Sequence, residues 1–271
     1  MTATSSSRDA MAEKLTIGAQ RFTLFNVPEF GCDKDRQTYE KQRLAAAFRL
    51  FSQYGFDEGL AGHITLRDCI DPDTFWVNPV GIHFGLITVS DLVRVSHQGD
   101  IVEGQAAINN AAFAIHSRIH MARPDVNAVA HAHTTYGRAF AALGQRLLPI
   151  SQDACMFYQN HALFSHFDGV VADTREGDMI AEALDTHCAL ILQNHGLLTV
   201  GSSVDAAAAN FVMLDSCCHS QLLAQAAGQV KLIDDPTAQK TRAMNGSDLV
   251  TWGNFQPMYQ KLLATDDSFL N

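Results

Sequence analysis

The sequence predicts an α/β domain in which helices cover a mixed sheet. Three observations lead there. Short apolar runs read as strands, segments with apolar residues at helical spacing alternate with them, and a long alanine-rich segment follows the last strands. At 271 residues the chain suffices for one large domain or two small ones, and 47% apolar content supplies a sizeable core. Charged residues make up only 18%, low for a disordered chain.

Taken in order, residues 1–35 read as a polar N-terminal arm with an irregular stretch from Phe25 to Gly31. Asp35 to Tyr54 is helical, because Leu44, Ala47, Phe48 and Phe51 repeat at helix spacing and Gly55 follows. Extended segments come next around Ile64–Leu66, Thr74–Val77 and Leu92–Val95, with turns at Asp71-Pro72 and Asn78-Pro79-Val80-Gly81. Ala106 to Met121 reads as a helix with Ile108, Ala111, Ala112, Ile115 and Ile119 on one face, stopped by Arg123-Pro124-Asp125. The run Val126–Ala130 then forms a buried strand ending in His131 and His133. Thr134 or Thr135 caps a helix through Tyr136–Leu143. A helix near Glu176–Asp185 precedes the strand Ala189–Gln193, which continues past Asn194-His195-Gly196 as Leu197–Gly201. Ser203 caps the alanine-rich helix from Val204 to about Ala227. Residues 36–230 thus form the main domain. Residues 231–271, with Trp252, Phe255, Met258 and Tyr259, form a helical, aromatic extension.

Charge excludes some functions. A net charge of −10 and a pI near 5.5 argue against gripping phosphate backbones, so no nucleic-acid partner is expected. No apolar stretch approaches the roughly 18–20 residues that span a bilayer. The N-terminus lacks the apolar core of a signal peptide, so no membrane partner and a cytoplasmic location are expected. Six cysteines without CxxC spacing, Cys217 and Cys218 among them, read as reduced packing thiols.

The chemistry concentrates on three histidines. Residues i and i+2 of a strand point the same way, with Cβ atoms roughly 6–7 Å apart, so His131 and His133 can close on one ion. His195 sits in a tight turn beside Gly196, where backbone can approach closely. Three neutral imidazoles leave a coordination position open, the mark of a catalytic site. Such a set accepts Zn²⁺, Mn²⁺, Fe²⁺, Co²⁺ or Ni²⁺.

The stretch from Ala122 to Thr134, containing His131-Ala-His133, together with Leu192-Gln-Asn-His195-Gly-Leu-Leu-Thr-Val-Gly201, resembles the class II aldolase/adducin family over about Tyr39 to Ala227. The resemblance implies an α/β/α three-layer sandwich with a mixed, mainly antiparallel sheet. It also implies a divalent metal on His131, His133 and His195, and a homotetramer with active sites between subunits. Sugar-phosphate aldolases of the family carry a catalytic glutamate nineteen residues before the first histidine. Here that position is Ala112, which cannot move a proton. Asn109-Asn110-Ala111 lacks the serines that hold substrate phosphate there, and His63 stands where the aldolases use Asn. A phosphorylated substrate is therefore not expected.

The segment Asp57–Asp68, the Trp76-Val77-Asn78-Pro79 turn and Tyr136-Gly-Arg138-Ala-Phe140 resemble a subgroup that includes non-haem iron oxygenases of aminocoumarin antibiotic pathways. That implies Fe²⁺, with Zn²⁺ or Mn²⁺ as alternatives, and a small oxo- or hydroxy-acid substrate. Oxidative decarboxylation of an arylpyruvate, with O₂ as partner, is the leading expectation. A metal-dependent retro-aldolase or decarboxylase, and a non-catalytic adducin-like scaffold, are the competing ones. Three further residues are candidates for catalysis. His116 lies one helical turn after Ala112 and either faces the metal pocket or is a core hydrogen-bonding group. Asp153 either orients a ligand imidazole or caps a turn, and Tyr158 either lines the pocket or packs at a surface. Glu58, His63, Asn78, Asn110, Arg138 and His161 are the expected substrate-binding residues, Arg138 as a carboxylate clamp or a surface ion pair.

Overall fold

The computed structural model describes residues 27–170 and 173–271, together with the backbone of Thr16–Ile17 (β1) and Gln20–Arg21 (β2), which pair antiparallel as a separate ribbon. Most of the expected N-terminal arm, Phe25 included, lies outside the described residues.

The main sheet has eight strands: β3 (His63–Arg67), β4 (Thr74–Val77), β5 (Val93–Ser96), β6 (Ile101–Glu103), β7 (Ala128–Ala132), β8 (His161–Phe164), β9 (Ala189–Leu192) and β10 (Gly196–Gly201). Their spatial order is β6-β5-β4-β3-β7-β10-β9-β8. The β8–β9 pair is parallel and the other pairs are antiparallel, giving the mixed, mainly antiparallel sheet expected.

Helices pack on both faces. Alternation along β3 and β7 sends Ile64, Leu66, Ala128, Ala130 and Ala132 one way, into a core shared with α1 (Asp33–Gln53), α3 (Thr135–Ala141), α5 (Val204–Ala227) and α7 (Asp248–Thr265). Val129, Leu190, Leu198 and Val200 point the other way, onto α2 (Asn110–Ala122) and α4 (Thr174–Leu184). Three layers result. Phe255, Leu262 and Phe269 from the C-terminal segment join the first of these cores, and α6 (Asp235–Asn245) precedes α7. Among the described residues no helix is long and apolar enough to cross a membrane.

Local chemistry explains the boundaries. Ser203 Oγ accepts the Ala206 N–H and Thr134 Oγ1 accepts the Gly137 N–H, so Thr134 is the cap of α3. Asp33 and Asp35 favour the positive N-terminal end of α1, which begins two residues earlier than its apolar spacing suggests. The largest departure is α2, which starts at Asn110, four residues later than expected. Asn109 Oδ1 accepts the N–H groups of Ala111 and Ala112, and this cap sets the start despite the helix-spaced Ile108 upstream. Two strands of the main sheet, β6 and β8, were not expected. The first is a fully exposed three-residue edge and the second, His161–Phe164, lacks a period-two pattern.

Candidate metal centre

His131 is the penultimate residue of the central strand β7, and its parity with Val129 turns it toward the α2 side of the sheet. His133 follows with the same parity just beyond the strand. His195 comes from the β9–β10 hairpin, where Asn194 holds φ at +59° and the His195 N–H reaches the Leu192 carbonyl at 3.0 Å. An asparagine tolerates that left-handed backbone better than most residues. The three rings converge: centroids lie 5.0 Å (131–133), 4.8 Å (131–195) and 4.9 Å (133–195) apart. One ligand nitrogen from each lies within 4.8 Å of the others.

Two details prepare the rings for a cation. His131 Nδ1 lies 2.8 Å from the Leu197 carbonyl and donates to it, which leaves Nε2 as a bare acceptor. Gly196 has no side chain to intrude; a Cβ there would lie 3.2 Å from the Ala132 carbonyl oxygen and against the His131 and His133 rings. Burial holds His131 well below its ordinary pKa, with His195 and His63 adding to the shift. Burial, then His133, brings His195 down to about 4. His133 is lowered by burial and by Arg138, with Glu58 opposing. The imidazoles are thus neutral at pH 7, the form that binds metal, and the all-nitrogen set fits a borderline divalent ion such as Fe²⁺ or Zn²⁺.

Around the trio, the expected residues divide. His63 opposes His131 directly in the β3–β7 register, with ring centroids 5.1 Å apart. His116 lies beneath it on α2, 4.4 Å from the His63 ring. Arg138 Nη2 donates to Glu58 Oε2 at 2.7 Å, a half-exposed pair whose charges both reach His133. Asn78 is buried, its Oδ1 without a hydrogen-bond partner among the described residues. It lines a narrow cleft with Asp57, Gly62, Gly81, His83 and Asn109. Asn110, the first residue of α2, is exposed beside this cleft's Asn109, and Ala112 is buried.

Three candidates stand apart from the trio within this chain. His161 begins the edge strand β8, where Nδ1 donates to the Phe157 carbonyl at 2.6 Å and Nε2 accepts the Leu147 N–H at 3.0 Å. Asp153 is exposed at the start of a short 3₁₀ turn, Ala154–Phe157, and Tyr158 interacts with Asp235 on α6. Arg67 spends its guanidinium on the carbonyls of Pro72, His120, Arg123 and Val126.

Two residues missed in the sequence join the group. Thr65 Oγ1 lies 2.8 Å from His116 Nδ1 and 2.9 Å from His120 Nε2. A signal for both exists: Thr65 is in strand phase with His63, and His120 is one helical turn beyond His116.

Comparison with known proteins agrees with this architecture. The class II aldolase and adducin N-terminal domain matches residues 42–222. Decarboxylase NovR of Streptomyces niveus is 47% identical over 241 residues, covering 88% of this chain and 89% of that protein. The 4-hydroxy-3-prenylphenylpyruvate oxygenase/4-hydroxy-3-prenylbenzoate synthase of Streptomyces roseochromogenus subsp. oscitans is 46% identical over 239 residues, covering 88% and 86%. Among solved structures, an L-fuculose 1-phosphate aldolase from Glaciozyma antarctica PI12 superposes with a TM-score of 0.85 at 41% identity, covering 91% and 97%. The converging histidines, the three-layer sandwich and these likenesses lead to one statement: the chain belongs to the class II aldolase and adducin family.

Proposed function

We propose that this chain is a mononuclear iron enzyme that oxidatively decarboxylates a non-phosphorylated, arylpyruvate-type 2-oxo acid. The observation that carries the reading is the pairing of three converging imidazoles with a buried Ala112 where aldolases of the family carry an acid. Held by His131, His133 and His195, Fe²⁺ would supply Lewis acidity toward the 2-oxo carboxylate and redox capacity toward O₂. The names of the two Streptomyces relatives support the same chemistry.

The chain's own residues then divide the work. Arg138 offers a planar fork to the substrate carboxylate at the cost of its exposed contact with Glu58. Asn78 and Asn109, the cap of α2, line the cleft beside Gly62 and give its wall amide groups in place of phosphate-binding serines, with Asn110 next to them at the start of the helix. His63, buried between the trio and His116, contacts the reacting end of the substrate. We take the assembly to be a homotetramer acting in the cytoplasm, which light scattering and fractionation would check.

A second reading is a Zn²⁺- or Mn²⁺-dependent retro-aldolase, favoured by the 41% identity to the protein named as a fuculose phosphate aldolase. Anaerobic purification with metal analysis separates the two. Bound iron, with O₂ uptake and CO₂ release on adding 4-hydroxyphenylpyruvate or its prenylated form, supports the oxygenase. Zinc with aldehyde release from a hydroxy-oxo acid, and no O₂ uptake, overturns it.

A further inference from the structure

We propose that Asp215, on α5 and outside the trio, is a positioning residue for the metal centre: through Thr134, its carboxylate sets the direction in which His133 leaves β7. This rests on the reading of the trio as a metal site and is independent of which substrate the enzyme takes.

His133 depends on such a support. The paired registers of β7 run to Ala132, opposite Leu197 of β10, and His133 lies one residue past them. The sheet therefore fixes the chain on one side of His133 only. On the other side, the turn that follows decides where the imidazole points.

That turn is Thr134 and the start of α3. Thr134 is 1% exposed and Asp215 is 6% exposed. The Thr134 hydroxyl donates to Asp215 Oδ1. The Gly137 N–H reaches Thr134 Oγ1 at 3.0 Å and Asp215 Oδ1 at 3.1 Å. Gly137 permits this approach, because a Cβ there would lie 2.5 Å from Thr134 Oγ1 and 2.8 Å from Leu197 Cγ. The Leu197 carbonyl in turn accepts from His131 Nδ1, so one small group of residues holds two of the three rings. Arg138 shares the same reference point, its Nε donating to the Thr134 carbonyl at 3.3 Å.

The carboxylate is surplus to capping α3. Thr134 Oγ1 by itself satisfies the Gly137 N–H, as an ordinary N-cap does. Asp215 also interrupts a face of α5 that is otherwise apolar: Phe211, four residues before it, and Cys218, three after, belong to the core. A buried carboxyl on such a face is costly unless it is bonded, and both donors that reach it come from the turn after His133. Burial pushes its pKa up, while the Thr134 hydroxyl and the Gly137 N–H pull it back. What the carboxyl adds is a fixed Thr134 rotamer, and with it a fixed backbone beside the ligand. α5 grips the turn at a second point, one helical turn on, where His219 stacks on Tyr136 with ring centroids 3.4 Å apart.

The test follows Co²⁺ binding to metal-free, full-length protein through the visible absorption of the bound ion, which reports affinity and coordination geometry together. Asp215→Leu removes the acceptor while keeping a branched shape, and Asp215→Asn keeps Oδ1. Asp205→Ala is the control, since it weakens α5 elsewhere, at its pair with Arg43. We expect Asp215→Leu to bind Co²⁺ about 10–100-fold more weakly, with altered bands, the usual loss when a group that orients a metal ligand is removed. Asp215→Asn should bring both readings back close to wild type. Asp205→Ala should lower the melting temperature and leave the bands unchanged. Wild-type affinity and bands in folded Asp215→Leu overturn the proposal, as does an Asp215→Asn variant no better than Asp215→Leu. An equal loss in Asp205→Ala also overturns it, because general destabilisation would then suffice. If Asp215→Leu does not fold, Thr134→Val replaces it and Thr134→Ser replaces Asp215→Asn, with the same outcomes. Wild type that binds no Co²⁺ overturns the metal reading itself, and the role of Asp215 falls with it.

Discussion

His63 and His131 face each other across the β3–β7 pair, rings 5.1 Å apart on one face of the sheet. The contact ties the start of β3 to the strand that carries His131 and leads into His133. Replacing His131 with alanine removes one ring of the trio and its bond to the Leu197 carbonyl. Divalent metal affinity should fall by more than the roughly 10–100-fold that losing an outer-shell partner costs. Titration calorimetry checks this, with circular dichroism and light scattering unchanged. Stoichiometric tight metal binding by His131→Ala would refute the ligand assignment.

The buried histidines make stability depend on pH. Burial holds His116 and His120 well below 6.5, so the unfolded chain binds protons that the folded one refuses. Their contribution is complete above about 6.5 and is lost progressively as pH falls. His195, brought down to about 4, adds a loss spread between pH 6.5 and 4. The urea midpoint of the metal-free protein should drop steadily from pH 7 to pH 5. A midpoint constant over that interval would show that these rings are not neutral in the fold.

Gly62 supports the site through its backbone. Its φ is +95°, and a Cβ would lie 3.2 Å from the His131 carbonyl oxygen and 3.4 Å from Ala132 Cα. Gly62→Ala therefore combines backbone strain with crowding and should cost about 1–3 kcal/mol. Denaturant unfolding measures it, and a neutral or stabilising outcome would mean that the loop relaxes freely.

Arg43 on α1 and Asp205 on α5 form an ion pair, both side chains 3% exposed, with Gln256 on α7 bonded to each. Asp205→Ala strands a buried guanidinium and should destabilise by about 3–5 kcal/mol. Arg43→Met with Asp205→Leu should recover much of that loss. Equal melting temperatures for wild type and Asp205→Ala would contradict this account.

Much of the architecture was legible because its pattern is local. The apolar spacing of α1, the alanine-rich run of α5 with Ser203 before it, and the apolar lead into His131 each stay within one segment, and each lies within about two residues of expectation. What escaped depends on partners. The exposed edge β6 is defined only by pairing with β5, and β8 only by lying beside β9. The converging trio could be anticipated from strand parity and the Asn194-His195-Gly196 turn. Thr65 joins two histidines more than fifty positions away in the chain, a link no single segment announces.

His131 rides on a central strand held by neighbours on both sides and His133 follows directly after it, whereas His195 hangs from a hairpin reversal. Accommodating cations of different radius therefore falls to the hairpin. Beyond the turn itself, the Asn194 N–H is tethered to the Ala141 carbonyl at the end of α3, at 3.4 Å. Discrimination among ions is then a matter of loop stiffness, tunable by residues that never touch the cation.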